Sequence, residues 1–205
     1  MDATVIGICL YVAVQFAIGL WVAQRIKKES DYILAGREVG TALAAFSVFA
    51  TWFGAETVLG SAGRVYSDGL SGAQGEPFAY GLAIILMGLL LAGPLRRRGL
   101  TTFADLFAER YGAGVERITV LLLVPGSILW AAAQIRGFGQ IFSAAAGIDV
   151  TAGIAIAYIT VVAYTMIGGL LADIFTDFVQ GLAIVVGLVA LLVFVVISTG
   201  SPMAN

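Results

Sequence analysis

The sequence reads as an all-α integral membrane protein, and three observations lead there. Of its 205 residues, 60% are hydrophobic and only 12% are charged, whereas a soluble domain is about half apolar and about a quarter charged. The mean hydropathy is +0.99. The apolar residues also fall into runs of about 20, the length that crosses a bilayer as a helix, and charged residues set the runs apart.

Six spans follow from those runs. The first is Ala3 to Gln24, between Asp2 and Arg25. It is not a signal peptide: Met1-Asp2 carries an acid and no base, and the apolar stretch is longer than a signal core. The bases come after it, at Arg25, Lys27 and Lys28, which places its N-terminus outside. The second runs from Val39 to Gly63 and contains Glu56, and the third from Pro77 to Leu95. The fourth opens at Arg117 and reaches Ile148 with Arg136 as its only internal charge. The fifth is Val150 to Ala172, and the sixth, Phe178 to Ser198, has no charge at all.

Orientation follows from the bases. Arg25, Lys27, Lys28 and Arg37 lie in the first loop, and Arg96, Arg97, Arg98, Arg110 and Arg117 in the third. Nine of the eleven bases therefore share one side, which the positive-inside rule makes cytoplasmic. Both termini are then outside, and the Gly168 to Asp177 turn is inside. In the third loop, Thr102 and Asp105 have the spacing of a capping pair. Phe103, Leu106, Phe107 and Tyr111 recur at helical spacing, and Gly112 can end the helix. These predict a short amphipathic helix over 102–111, lying on the inner membrane surface or serving as a solvated connector.

Composition excludes some chemistry. There is no histidine, which removes His-ligated metals, His general bases and His proton relays together. Cys9 is the single cysteine and forms no internal disulfide.

Three spans are not featureless. The second is rich in small residues, which let helices approach closely. Gly54 sits beside Thr51 and Trp52, with Glu56 two residues on. An ionised carboxylate near mid-membrane costs roughly 2.5 kcal/mol or more, so Glu56 faces a cavity, a partner or the outer water. Glycine among polar groups at that depth suggests unwound backbone, whose carbonyls suit a hard cation such as sodium; a plain small-residue packing face is the alternative. The fourth span holds Pro125-Gly126, expected to kink it. Trp130, Gln134 and Arg136 follow, and Trp130 either lines a cavity or packs. Glu76-Pro77 opens the third span, where an acid is favoured by the helix N-terminus.

Three stretches resemble the sodium:solute symporter family, which includes sodium/glucose, proline, pantothenate and choline transporters. They are Asp31-Tyr-Ile-Leu-Ala-Gly-Arg37, the run from Gly99 to Gly112, and Gly168-Gly-Leu-Leu-Ala-Asp-Ile-Phe-Thr-Asp-Phe-Val-Gln180, a paired glycine followed by Thr-Asp and Gln. The resemblance covers nearly the whole chain.

It implies a LeuT-type inverted-repeat fold in one transmembrane domain over 1–205. The extra N-terminal helix would be 3–24, and 39–200 the first five-helix repeat, with the second repeat absent. It implies sodium as coupling ion, held by backbone oxygens at Ala50 and Phe53, with Asp177 matching an aspartate that adds a sodium site in some members. Capping of the sixth span, with Thr176, is the structural alternative for Asp177. Trp52, Thr57, Glu76 and Trp130 resemble substrate-contacting positions. The two indoles suit a quaternary ammonium by cation–π attraction, and Trp52 and Thr57 stand where sugar transporters have amides.

The resemblance therefore implies sodium-coupled symport of a small organic solute, quaternary ammonium or amino-acid-like, across the cytoplasmic membrane by alternating access. The chain would be the N-terminal half. A half-transporter that needs a partner chain is one alternative, and a membrane-embedded enzyme using Asp173 and Asp177 another. No catalytic residue is expected, no metal other than sodium, and no nucleic-acid partner.

Overall fold

A computed structural model describes residues 3–199, and every regular element among them is helical. The expectations for Met1-Asp2 and for the chain beyond Thr199 lie outside those residues. In chain order the helices are α1 (Ala3–Ala23), α2 (Glu29–Leu34), α3 (Thr41–Trp52), α4 (Ala62–Asp68), α5 (Tyr80–Met87), α6 (Gly93–Arg98), α7 (Phe103–Tyr111), α8 (Ala113–Ala146) and α9 (Val150–Thr199). Short 3-10 and π-helical turns join α3 to α6.

Four helical stretches are long and apolar enough to cross a bilayer: Ala3–Ala23, Glu56–Arg98, Ala113–Ala146 and Val150–Ser198. A fifth follows if Glu29–Arg37 and Thr41–Trp52, which meet at 105°, make one broken span. The apolar side chains on these helices are widely exposed, Leu89, Leu121, Leu122 and Ile197 among them. A water-soluble surface does not carry such contiguous apolar area, so the exposure fits lipid as solvent.

Six spans are expected from the charges, and length and composition of the helices return four or five. Two stretches account for the difference. The expected loop between the second and third spans is helical: the turns from Glu56 through α4 to α6 run on without a long connector. Arg64 lies within α4, so that charge does not mark a helix end, whereas Asp68 is the last residue of α4. The expected turn from Gly168 to Asp177 shrinks to one residue. Only Gly169 leaves helical geometry inside α9, at φ 52° and ψ −159°. Asp173 and Asp177 are therefore internal to a helix, and Asp177 is not its N-cap. Pro125 likewise sits inside a continuous α8, with no residue leaving helical geometry beside it.

The chain falls into two compact units, one up to Phe53 with everything from Ile159 onward, the other from Gly54 to Tyr158. In the first unit, α1 lies against α9 through edge-to-face ring pairs, Phe16 with Tyr164 and Trp21 with Phe175, each at 6.3 Å. The Arg25 guanidinium stacks 3.8 Å from the centre of the Trp21 ring. Asp31 starts α2 by accepting from the backbone N–H groups of Lys27 and Lys28. α3 packs on α9 through Phe46 and Phe178, whose ring centres are 4.9 Å apart.

The break in α9 is held from α2. The Tyr32 hydroxyl donates to the carbonyls of Thr165 (3.3 Å) and Met166 (3.1 Å), which belong to the last turn before Gly169. Such carbonyls lose their regular partners when a helix stops. The Tyr32 backbone and ring also press on Gly169, leaving no room for a β-carbon there.

In the second unit, α7 begins with Thr102 and Asp105 capping each other. Asp105 accepts from the backbone N–H of Thr101 and Thr102, and the Asp105 N–H donates to the Thr102 hydroxyl. Those bonds hold the Asp105 carboxyl below the usual aspartate range. Gly112, at φ 85°, ends the helix. Asp149 caps the start of α9 in the same way, accepting from Thr151 and Ala152, and its carboxyl is also held low.

Candidate functional site

The chemistry gathers at the two ends of a helix break. α3 stops at Trp52, and helical structure resumes at Glu56. Thr51, Trp52 and Gly54 are the residues whose composition suggests unwinding, and Phe53, at φ −87° and ψ 69°, is the residue that leaves the helix. A helix end leaves its last carbonyls without regular partners. Here the Phe53 N–H still closes on the Phe49 carbonyl at 2.9 Å. The Ala50 carbonyl lies one residue further into that last turn.

The first unit holds Ala50, Trp52, Phe53 and Asp177. Asp177 comes to α3 through Ser47: the Ser47 hydroxyl donates to its carboxylate at 2.6 Å. Ser47 and Ala50 are three residues apart, so they share a face of α3. Asp177 is 7% exposed and its neighbour Thr176 fully buried, with the Thr176 hydroxyl donating to the Asp173 carbonyl at 2.8 Å. Asp177 thus stands as a buried carboxylate facing a serine, not as a cap.

The second unit holds Thr57, Glu76 and Trp130. The Thr57 hydroxyl donates to the Glu76 carboxylate, and the Ser61 hydroxyl, one turn on, donates to the Glu76 carbonyl at 2.8 Å. Glu76 is 7% exposed, and its extended backbone (φ −131°, ψ 128°) interrupts the helical run. It is therefore not at an open helix mouth, as its place before Pro77 suggests, but turned inward against the segment after the break. The Trp130 indole N–H points to the Glu56 carboxylate at 3.4 Å. Two of the three predicted residues, Thr57 and Glu76, are brought together; Trp130 joins them through Glu56.

Gln134 and Ser47 are functional neighbours with no role in the sequence reading. The Gln134 side-chain carbonyl accepts from the Ala55 N–H at 2.7 Å, the first donor after the break. It also fills the space where a β-carbon on Gly54 would stand, which explains a glycine there. The only signal for either residue was a lone polar group in an apolar run.

No group of three or more acidic or cysteine side chains among the described residues could hold a multivalent metal.

Comparison with known proteins bears on the same point. The sodium:solute symporter family profile matches residues 32–205. The chain is 32% identical to the high-affinity choline transporter 1 of Caenorhabditis elegans over 198 residues, which are 90% of this chain and 34% of that protein. It is 34% identical to the human high affinity choline transporter 1 over 194 residues, 89% of this chain and 33% of that one. It is 27% identical to the sodium/pantothenate symporter of Escherichia coli (strain K12) over 206 residues, 96% of this chain and 42% of that one. The chain thus spans about a third of the length of the choline transporters it matches. The family and these relatives are transporters, not enzymes, which sets aside catalysis by Asp173 and Asp177. The chain is a multi-pass membrane protein, and it belongs to the sodium:solute symporter family.

Proposed function

We propose that this chain forms the sodium-binding N-terminal half of a symporter that carries a small organic cation across the cytoplasmic membrane by alternating access. The observation that carries this reading is the helix break from Phe53 to Ala55 in a chain of this family. A broken apolar helix gives backbone oxygens to an ion without charged side chains, and half-helix ends at mid-membrane serve that purpose in transporters. In this reading the carbonyls of Ala50 and Phe53 are sodium ligands, and Asp177 with Ser47 forms a further sodium subsite. Sodium raises the population of an outward-open, substrate-competent state, and both solutes leave inward.

The substrate class follows from what surrounds the break in the second unit. Glu56, Glu76 and the Trp130 ring offer negative charge and a π face, which together suit a quaternary ammonium. The choline transporters among the relatives agree with that chemistry. Thr57 orients Glu76. Trp52, in the other unit, is proposed as a substrate contact from its resemblance alone.

The proposed topology is six spans with both termini outside, an extra N-terminal helix over 3–24 and a first LeuT-type repeat over 39–200. A straight helix the length of α9 would run about 75 Å, more than twice the roughly 30 Å of a bilayer core. Division into two spans is proposed at Gly169, where the backbone leaves helical geometry. The rest of the ion site and of the cavity is proposed to come from a second repeat, on the same polypeptide or on a partner chain. The relatives' greater length supports this.

The test is uptake of radiolabelled choline, proline, pantothenate and glucose into proteoliposomes containing the intact protein. Choline uptake should require an inward sodium gradient and vanish when potassium replaces sodium. Uptake indifferent to that replacement would sink the reading. Residues 1–205 alone should give no sodium-dependent uptake, and crosslinking in membranes separates a lone piece from a defined assembly.

A further inference from the structure

We propose that the corner formed by the end of α6 and by α7 is a recognition surface for anionic phospholipid, where arginines hold the headgroup phosphates and an aromatic ridge enters the acyl boundary. The proposal does not depend on which ion or solute is carried.

Chain geometry brings this corner to the bilayer surface. α6 ends the long apolar stretch Glu56–Arg98, and α8 begins the next one, Ala113–Ala146. α7 joins the two, so it sits where one span stops and another starts. It packs on α8, and Ala104 is its buried residue.

Three rings run along α7. Phe103, Phe107 and Tyr111 are four residues apart and share one side of the helix. The ring centres of Phe103 and Phe107 are 5.4 Å apart, and those of Phe107 and Tyr111 6.4 Å. The two outer rings are open: Phe103 is 55% exposed and Tyr111 61%. Helical residues advance by about 100° each, which places Arg110 beside this ridge and Asp105 and Glu109 on the far side from it. An aromatic face bordered by a base, with the acids behind, suits a helix lying in the membrane interface.

The acids are already engaged. The Asp105 carboxylate accepts from the backbone N–H groups of Thr101 and Thr102. Glu109 pairs with Arg98 at 3.5 Å, which ties the end of α6 to α7. Arg96, Arg97 and Arg110 are exposed, and among the described residues no carboxylate forms an ion pair with them. The Arg110 guanidinium is 5.8 Å from the centre of the Tyr111 ring, so charge and ridge adjoin. Guanidinium groups bind phosphate oxygens through paired N–H bonds. Their uncompensated charge selects a headgroup of net negative charge, at about five-fold in affinity per arginine near the surface.

The experiment follows hydrogen exchange along 103–111 of the intact protein in nanodiscs of phosphatidylcholine alone and in nanodiscs that also contain phosphatidylglycerol. Exchange should be about ten-fold or more slower with phosphatidylglycerol, and high salt should shrink the difference. Arg96→Gln, Arg97→Gln and Arg110→Gln combined should remove most of it, whereas lysine at the same three places should keep it. Phe103→Ser with Tyr111→Ser should speed exchange in both membranes. Equal exchange of the unaltered protein in the two membranes overturns the proposal, because neutral lipid or protein would then cover the ridge. Inorganic phosphate that slows exchange as much in phosphatidylcholine alone overturns it too, as the mark of a site for a soluble anion. So does a slowing that survives the glutamine variant. Should that variant fail to fold, the lipid and salt comparisons on the unaltered protein decide.

Discussion

Replacing Gly169 by alanine tests the break in α9 most directly. At φ 52° and ψ −159° its backbone lies in a region that side chains other than glycine's avoid, at a cost of about 1–3 kcal/mol. Space is the second obstacle. A β-carbon there would stand 2.6 Å from both the Tyr32 carbonyl oxygen and its ring carbon Cδ2, and overpacking of this kind costs about 1–3 kcal/mol. If Tyr32 moves to relieve the clash, it gives up its bonds to the Thr165 and Met166 carbonyls, about 0.5–1.5 kcal/mol for a typical hydrogen bond. Gly169→Ala should therefore destabilise the protein by about 2–6 kcal/mol whether the clash stays or Tyr32 gives up its two bonds to relieve it. Gly147→Ala is the control. Gly147 also has a positive φ, 67°, but nothing lies within 4 Å of its β position, so only the left-handed penalty of about 1–2 kcal/mol applies. Unfolding of both variants in the same detergent gives the comparison. Equal losses would refute the close approach of Tyr32. So would a double variant, Tyr32→Ala with Gly169→Ala, whose losses simply add, because a shared contact couples its two sites.

Other expectations follow from single contacts. Thr57→Val leaves the buried Glu76 carboxylate without its hydroxyl donor and should cost about 1–3 kcal/mol, read as a lower unfolding midpoint; if choline is the solute, as proposed, it should also raise the choline concentration for half-maximal uptake. Gln134→Leu removes the acceptor of the Ala55 N–H and should cost a similar amount, with a weakened sodium dependence if the break is the ion site. Thr102→Ala removes the cap of α7 at about 0.5–2 kcal/mol, visible as faster hydrogen exchange along 103–111. The Asp105 carboxyl is held below its ordinary value in the folded protein. Its contribution is therefore complete above the unfolded value of about 3.9 and is lost as pH falls through the folded one. Exchange along α7 should be indifferent to its protonation at neutral pH and rise on acidification, and Asp105→Asn should flatten that acid limb.

The sequence carried the solvent, the helical class and the position of the broken helix, because each depends on local composition. Runs of apolar residues report lipid directly. Gly54 among Thr51, Trp52 and Glu56 reports a place where a regular helix is hard to maintain, and α3 ends two residues before it. Span boundaries were less legible. Charge is a poor divider of spans here, since Arg64, Asp173 and Asp177 all sit inside helices. A charged residue ends a span only where it must reach water at that depth. In α9 the residue that leaves helical geometry is Gly169, and its neighbour Gly168 in the same pair keeps it.

Pairings were the least legible, since they join residues far apart in sequence. Nothing near Asp177 in the chain points to Ser47, 130 residues away, and nothing near Ala55 points to Gln134. Yet a general signal exists. Within the apolar runs, Gln15, Ser47, Thr57, Gln134 and Asp177 are isolated polar side chains, and in lipid each such group needs a partner. The fold supplies one to four of the five, joining Ser47 with Asp177, Thr57 with Glu76, and Gln134 with the Ala55 N–H.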